Sequence, residues 1–343
     1  MLKTIFVVDD SAINLAIAKT ALKEVYRVIT FSSAARMFAL LEKVTPDMIL
    51  LDIEMPEMDG FEALTLLKDN RKYAQIPVMF LTSMNDPEIE TKGFQMGVVD
   101  FVTKPFSESV LLNRIKTHLD IDSIIREKTA QLQNLQNGIV HVLADMVENR
   151  DKGTGAHIER TVAYINVLVE ELTKRGIYAD EVSNMYVDLF SSSARLHDVG
   201  KIAISDTILI KPGKLTDEEF AIMKTHCAEG EHVIDQIILR TGNGEFLRHA
   251  RLFAGTHHER WDGKGYPLGL SGTDIPLHGR IMAIVDVYDA LTSERPYKKA
   301  FTPDESFKYI IDNAGTHFDP IIAQVFVESR ERLMEIYADT QKI

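Results

Sequence analysis

Thr4-Ile5-Phe6-Val7-Val8-Asp9-Asp10 is a short apolar, β-rich run that ends abruptly in two carboxylates. Four further runs of this kind follow at intervals, Arg27–Phe31, Met48–Leu51, Val78–Leu81 and Asp100–Thr103, with helix-like segments between them. Such alternation predicts an α/β fold, a doubly wound five-stranded parallel sheet with helices on both faces. Ligands of these folds bind at the carboxyl ends of the strands. The polar residues gather at those ends: Asp9 and Asp10 after the first run, Asp52 after the third, Thr82 after the fourth and Lys104 after the fifth. Three carboxylates on one edge repel one another unless a hard cation such as Mg2+ lies among them. Lys104 is then placed to balance an incoming phosphoryl group.

With Leu50-Leu51-Asp52-Ile53-Glu54-Met55-Pro56-Glu57-Met58-Asp59-Gly60, Leu81-Thr82-Ser83 and Lys104-Pro105-Phe106 in order behind Asp9-Asp10, residues 1–120 resemble a response-regulator receiver domain of flavodoxin-like fold. The resemblance implies that Asp52 accepts a phosphoryl group from a cognate histidine kinase. It also implies that Asp9, Asp10, Asp52 and the backbone of Glu54 organise Mg2+. Thr82 and Phe101 correspond to the switch pair that reports phosphorylation, and Lys104 to the phosphate contact.

Residues 121–146 form a linker. Ile121, Ile125, Leu132, Leu135, Ile139, Val142 and Met146 recur at heptad-like spacing, with Lys128 in the skipped position. One reading is a coiled coil that pairs two copies in a homodimer. The other is an amphipathic helix packed on its own second domain, and Gly138 weakens the helix in either case.

From 147 to 343 the pattern becomes all-helical, with helices expected over Val162–Leu172, Met185–Leu196, Asp217–Leu239, Arg280–Leu291 and Glu305–Ile311. Within it, Arg195-Leu196-His197-Asp198-Val199-Gly200-Lys201 sets an adjacent His-Asp pair in apolar sequence. A buried carboxylate needs a partner, and first-row transition ions suit imidazole and carboxylate together. His157, His226, His257, His258 and Asp286 extend the inventory to five His and two Asp. That is more than one ion uses, so a dinuclear site is expected, of the kind that clamps attacking and leaving oxygens at phosphorus. The ligand chemistry, without thiolate, favours Fe or Mn and also admits Zn, Ni or Co.

The His-Asp run, followed by His257-His258-Glu259-Arg260-Trp261-Asp262-Gly263-Lys264-Gly265-Tyr266-Pro267, resembles the HD-GYP branch of the HD phosphohydrolase superfamily. The resemblance implies a metal-dependent phosphodiesterase that hydrolyses cyclic di-GMP to pGpG or GMP. It implies two divalent ions held by His157, His197, Asp198, His226, His257, His258 and Asp286, with Asp198 bridging and a metal-acidified hydroxide attacking in line. Lys201 is expected to neutralise a phosphate oxygen. Gly265, Tyr266, Pro267, Asp289, Arg295 and Lys298 are expected around the substrate, and Asp289, three residues after Asp286 on one helical face, is alternatively a partner behind the metal ligands. Some relatives hold a third ion through a Glu four residues before the first ligand His; that position is Gly153 here, which favours two.

The totals bound these readings. A chain of 343 residues, 45% hydrophobic, is long enough for two cores. A formal net charge of −13 argues against DNA binding. The single Cys227 fits a reducing compartment, and no segment reads as a leader or a membrane-inserted span, so a cytoplasmic location is expected. The joint expectation is a response regulator in which phosphorylation of Asp52 controls the phosphodiesterase, with other cyclic di-GMP signalling proteins as further partners. The rivals are a cyclic di-GMP sensor or scaffold and a phosphodiesterase for another cyclic dinucleotide.

Overall fold

A computed structural model describes residues 2–340 except 71, 84–85, 151–155, 183–186, 243 and 294–299. Its contacts divide into two units, Met1–Gln133 and Asn134–Ile343.

In the first unit, β1 (Thr4–Val8), α1 (Ala12–Leu22), β2 (Arg27–Phe31), α2 (Ala34–Leu41), β3 (Met48–Asp52), α3 (Gly60–Asp69), β4 (Val78–Thr82), α4 (Pro87–Gln95) and β5 (Asp100–Thr103) alternate as expected. The sheet is parallel throughout, in the order β2-β1-β3-β4-β5. The central strands read as continuous apolar runs because helices cover both faces. Ile5, Val7, Leu50 and Leu81 pack with Ala18 and Leu22 on one side, and Phe6, Val8, Ile49 and Phe80 pack with Met37, Leu41 and Leu67 on the other. The chain reverses its winding direction between β1 and β3, which leaves a crevice at their carboxyl ends, where Asp9 and Asp52 sit.

A single helix, α5, runs Glu108–Arg150, so the expected linker is the middle of a longer element. The heptad-spaced residues Ile121, Ile125, Leu132, Leu135, Ile139, Val142 and Met146 are all exposed. A different face, Val140, Ala144 and Val147, is buried within the second unit. The helix therefore packs on its own domain without using the heptad seam.

The second unit continues with α6 (Ala156–Arg175), α7 (Ala179–Val182), α8 (Val187–Ser193), α9 (Asp206–Leu209), α10 (Asp217–Lys224), α11 (His226–Thr241), α12 (Glu245–Thr256), α13 (Leu277–Thr292), α14 (Pro303–Asp312), α15 (Pro320–Glu328) and α16 (Arg330–Thr340). Two 3-10 turns, Ala194–Leu196 and Val199–Ala203, follow α8. The main core gathers Tyr164, Leu168 and Leu172 of α6, Ile281, Ile284 and Tyr288 of α13, and Phe307 and Phe326. A smaller core of Val140, Leu196, Val199, Ile234 and Phe246 lies beneath the 3-10 turns. The helix expected over Asp217–Leu239 is two, broken at Thr225, which places His226 at a helix start. None of the described helices is long and apolar enough to cross a membrane.

Candidate metal centre and phosphoacceptor site

The His197–Lys201 stretch is not a continuous α-helix. The chain turns at Asp198 (φ −99°, ψ 9°) between the two 3-10 segments, and Lys201 swings back so that its Nζ lies 2.8 Å from Asp198 Oδ2. Gly200 is required by this path. A Cβ there would lie 1.9 Å from the His226 carbonyl oxygen and 2.3 Å from Gly230 N, so only glycine lets the turn rest on α11.

Around Asp198 the imidazoles are aimed by their own backbones. Nδ1 of His197 donates to the Ala194 carbonyl at 2.9 Å, that of His226 to Met223 at 2.7 Å, and that of His257 to Phe253 at 3.0 Å. With Nδ1 assigned as the donor, Nε2 carries the lone pair. The three Nε2 atoms lie 3.2, 3.4 and 3.6 Å from Asp198 carboxylate oxygens. His157 is held differently: its Nδ1 lies 2.7 Å from Asp289 Oδ2 and its Nε2 3.7 Å from Asp286 Oδ1. Asp289 in turn takes two bonds from Arg160, at 2.5 and 2.8 Å.

Two candidate ligand groups result, His226/His257/His258 and His157/His197/Asp286, each with its donor atoms within 4.8 Å of one another. The residues fit divalent ions on three counts. The Nε2 atoms of His226 and His257 face each other at 3.2 Å, where two lone pairs repel unless a cation or proton lies between. His197 Nε2 and Asp198 Oδ1 are buried with no hydrogen-bond partner among the described residues, a cost that ligation removes. The protonation states suit ligation too. Burial pulls His226 down to about 4 and His258 lower still, so both are neutral. Burial alone would raise the Asp198 carboxyl, but Lys201 and His197 outweigh it and hold the group well below the usual range. His157 is the exception: despite burial, its bond to Asp289 raises it to about 9.

In the first unit, Lys104 Nζ bridges Asp9 and Asp52 at 2.6 and 2.7 Å. Asn14 Nδ2 and the Ser11 amide hold the Asp9 carboxylate, and the Glu54 amide donates to Asp52. Burial raises the Asp52 carboxyl, with Lys104 opposing. Asp9, exposed Asp10 and Asp52 have carboxylate oxygens within 4.8 Å of one another, a hard-oxygen set of the kind Mg2+ takes. Thr82 and Phe101 are buried, and the Phe101 ring lies so close to Gly93 of α4 that a Cβ there would be 2.4 Å from Cζ.

The response regulator receiver domain family matches residues 5–116 and the HD domain family residues 141–322. The chain belongs to the HD-domain response regulators. It is 38% identical, over 97% of its length, to 79% of a Vibrio cholerae protein named "Probable cyclic di-GMP phosphodiesterase". It is 33% identical, again over 97%, to 89% of the cyclic di-GMP phosphodiesterase response regulator RpfG of Xanthomonas campestris. It is also 37% identical, over 60% of its length, to 37% of the 3'3'-cGAMP-specific phosphodiesterase 2 of Vibrio cholerae.

In this HD-domain response regulator the loop after His258 is built on a residue that the sequence pattern does not single out. Glu259 is 1% exposed and its carboxylate accepts the amides of Leu268, Gly269 and Leu270 at 2.7–3.2 Å. Gly265 lies against the backbone of His258, Glu259 and Arg260, where a Cβ would meet atoms at 2.4–2.6 Å. That packing sets the Tyr266 ring 4.7 Å from His258, while Pro267 is exposed. Of the two places expected for Asp289, the fold gives the one behind a candidate ligand and not the one at the substrate: it is 2% exposed and engaged by His157 and Arg160. Arg160 was also missed, although its place three residues after His157 puts both on one helix face. Glu148, at the wrong sequence spacing for a ligand, has both carboxylate oxygens buried without a hydrogen-bond partner among the described residues, and burial raises it to about 6. Arg295 and Lys298 lie outside the described residues.

Proposed function

We propose that the protein hydrolyses cyclic di-GMP to pGpG or GMP at the His157/His197/Asp198/His226/His257/His258/Asp286 cluster, under control of phosphorylation at Asp52. The observation that carries the reading is Asp198, ringed by three oriented imidazole Nε2 atoms and buried at Oδ1 without a hydrogen-bond partner among the described residues. Asp198 lies between the two ligand groups and is the residue suited to bridge two ions. When bound, such ions supply Lewis acidity at a phosphoryl oxygen and acidify a water at neutral pH. Fe or Mn suits the donor set best, with Zn, Ni or Co as alternatives.

The protein's own groups have distinct tasks. Lys201, drawn to Asp198, keeps that carboxylate ionised and adds positive charge where negative charge builds up on the phosphodiester in the transition state. Asp289 fixes the ring plane and tautomer of His157. Glu259 and Gly265 hold the Tyr266 loop beside the ligands, which orders the nucleotide side of the cleft. In the receiver unit, Asp9, Asp10 and Asp52 would hold Mg2+, which would offset carboxylate repulsion when a histidine kinase donates its phosphoryl group, and Lys104 exchanges its Asp52 contact for that group. The exposed heptad seam of α5 pairs two copies and links receiver state to hydrolase output as a population shift. Hydrolysis of 3',3'-cyclic GMP-AMP is a second reading, favoured by the similarity to the cGAMP-specific relative.

The test is chromatography of cyclic di-GMP and of 3',3'-cyclic GMP-AMP incubated anaerobically with Fe(II)- or Mn(II)-loaded protein, beside Asp198→Ala. Linear product from the parent and none from the variant is expected. Nucleotide bound but never cleaved, with either metal, would replace the hydrolase by a sensor.

A further inference from the structure

Helix α10 ends immediately before the ligand His226, and its last turns carry two residues that no metal or phosphate role uses. Phe220 and Lys224 are four residues apart, hence on one face. Phe220 is 47% exposed, and its ring centroid lies 6.5 Å from that of Tyr266 in an edge-on arrangement. Lys224 Nζ stands over both rings, 5.3 Å from Phe220 and 5.9 Å from Tyr266, and makes no ion pair among the described residues. Tyr266 is itself in ring contact with His258 at 4.7 Å and His226 at 6.4 Å, so this corner adjoins the metal ligands.

The corner is held in place from its far end. Thr216 and Glu219 form a reciprocal cap at the start of α10, and Lys211 Nζ lies 2.8 and 2.6 Å from the Glu219 carboxylate oxygens. A wet aromatic face, a cation that no carboxylate of the described residues neutralises, and a phosphoryl site next door together match the chemistry of a purine nucleotide. The exposed part of the Phe220 ring offers stacking, worth about 1–3 kcal/mol per base. An ammonium suits the O6 and N7 acceptors of guanine and not the N6 amino donor of adenine.

On the reading of the site as a cyclic dinucleotide phosphodiesterase, we infer that Phe220 and Lys224 form its base subsite, Phe220 stacking on one guanine and Lys224 donating to that guanine's O6/N7 edge. This pair therefore sets the preference for guanine over adenine.

The test compares kcat/KM for cyclic di-GMP and cyclic di-AMP in the parent, Phe220→Ala, Phe220→Trp and Lys224→Met, with metal content per chain as the check that the ligand cluster is intact. Phe220→Ala should lower kcat/KM for cyclic di-GMP by about 5–150-fold, the equivalent of one lost stacking contact, mainly through KM. Phe220→Trp should restore it. Lys224→Met should lower the ratio of guanine to adenine substrate at least tenfold without changing metal content. Parental values in Phe220→Ala, or an unchanged guanine-to-adenine ratio in Lys224→Met, would overturn the assignment. If the parent cleaves no cyclic dinucleotide, the hydrolase reading fails and equilibrium binding of cyclic di-GMP decides the subsite. Weaker binding in both Phe220→Ala and Lys224→Met supports it, whereas equal binding, or none by the parent, removes it.

Discussion

Replacing Asp289 by Asn separates two things the buried Asp289 carboxylate does for His157. It orients the ring, and it raises the imidazole to about 9 against the effect of burial. At pH 7.5 the metal-free His157 is therefore protonated, and an ion must displace that proton before Nε2 can serve as a ligand. The competition at 1.5 pH units below the titration point costs about 30-fold in affinity, roughly 2 kcal/mol. Because affinity rises as the proton leaves, Mn(II) binding by the parent should strengthen about tenfold per pH unit between pH 6.5 and 8.5 through this residue. The amide of Asp289→Asn keeps an acceptor for Nδ1 but carries no charge, so His157 falls toward or below its ordinary value and the proton no longer competes. The assay is isothermal titration with Mn(II) at pH 7.5 in buffers of different ionisation enthalpy, which counts protons released. Asp289→Asn should release close to one proton fewer per chain than the parent and show a flatter pH dependence. At pH 8.5, where competition has faded, it should bind more weakly, because loss of an outer-shell partner typically costs 10–100-fold. Equal proton release by the two proteins would refute the account of His157.

Two further outcomes follow from packing and burial. Gly200→Ala places a Cβ 1.9 Å from the His226 carbonyl oxygen and 2.3 Å from a second backbone atom, so the 3-10 turn must shift. Thermal denaturation should show a loss of about 1–3 kcal/mol or more, together with reduced metal content; parental stability and metal content would show that the turn can relax. His278, paired with His249 at 2.7 Å between Phe190 and Phe253, is pulled by burial to about 3. Since the unfolded chain binds that proton more readily, the parent should lose stability as pH falls below about 6.5, by up to ~1.4 kcal/mol per pH unit. Denaturant melts between pH 5 and 7 should show a shallower slope for His278→Leu, and an identical slope would mean that His278 takes up its proton in the folded state.

The sheet was legible because each strand is a complete apolar run closed by a polar residue, so the edges carrying Asp9, Asp52 and Thr82 could be read directly. The ligand inventory was legible for a related reason: histidines and carboxylates set in apolar sequence are costly to bury unless something binds them. What the sequence concealed was the path of the backbone between them. Asp217–Leu239 carries one helical period straight through Thr225, and nothing in that period shows the break that puts His226 at the head of α11. Nor does the apolar run around His197 show the turn at Asp198 that brings Lys201 to the carboxylate. Asp289 shares a helical face with Asp286, but that period does not show whether it faces a substrate or His157. Its partner Arg160 lies 129 positions away, and only tertiary packing shows that the pair is buried.

The backbone path also accounts for how the imidazoles are aimed. A backbone carbonyl accepts through two lone pairs, and near a helix end the second is open to a side-chain donor. His197 follows the 3-10 turn Ala194–Leu196, His226 follows the end of α10, and His257 caps α12; each donates Nδ1–H to a carbonyl three or four residues back in the element just ended. Each of these carbonyls also accepts a backbone amide, from His197, Thr225 and His257 respectively, so the imidazole takes the second lone pair, and the bond fixes the tautomer that leaves Nε2 free to ligate. Because each bond is local, the ring's orientation is set within a few residues of its own chain segment, and packing brings the three Nε2 atoms to Asp198. His157 lies at the start of α6 and takes its outer partner from elsewhere in the fold. That partner is Asp289, and the charge that comes with it is why His157, unlike His226 and His258, must give up a proton to bind an ion.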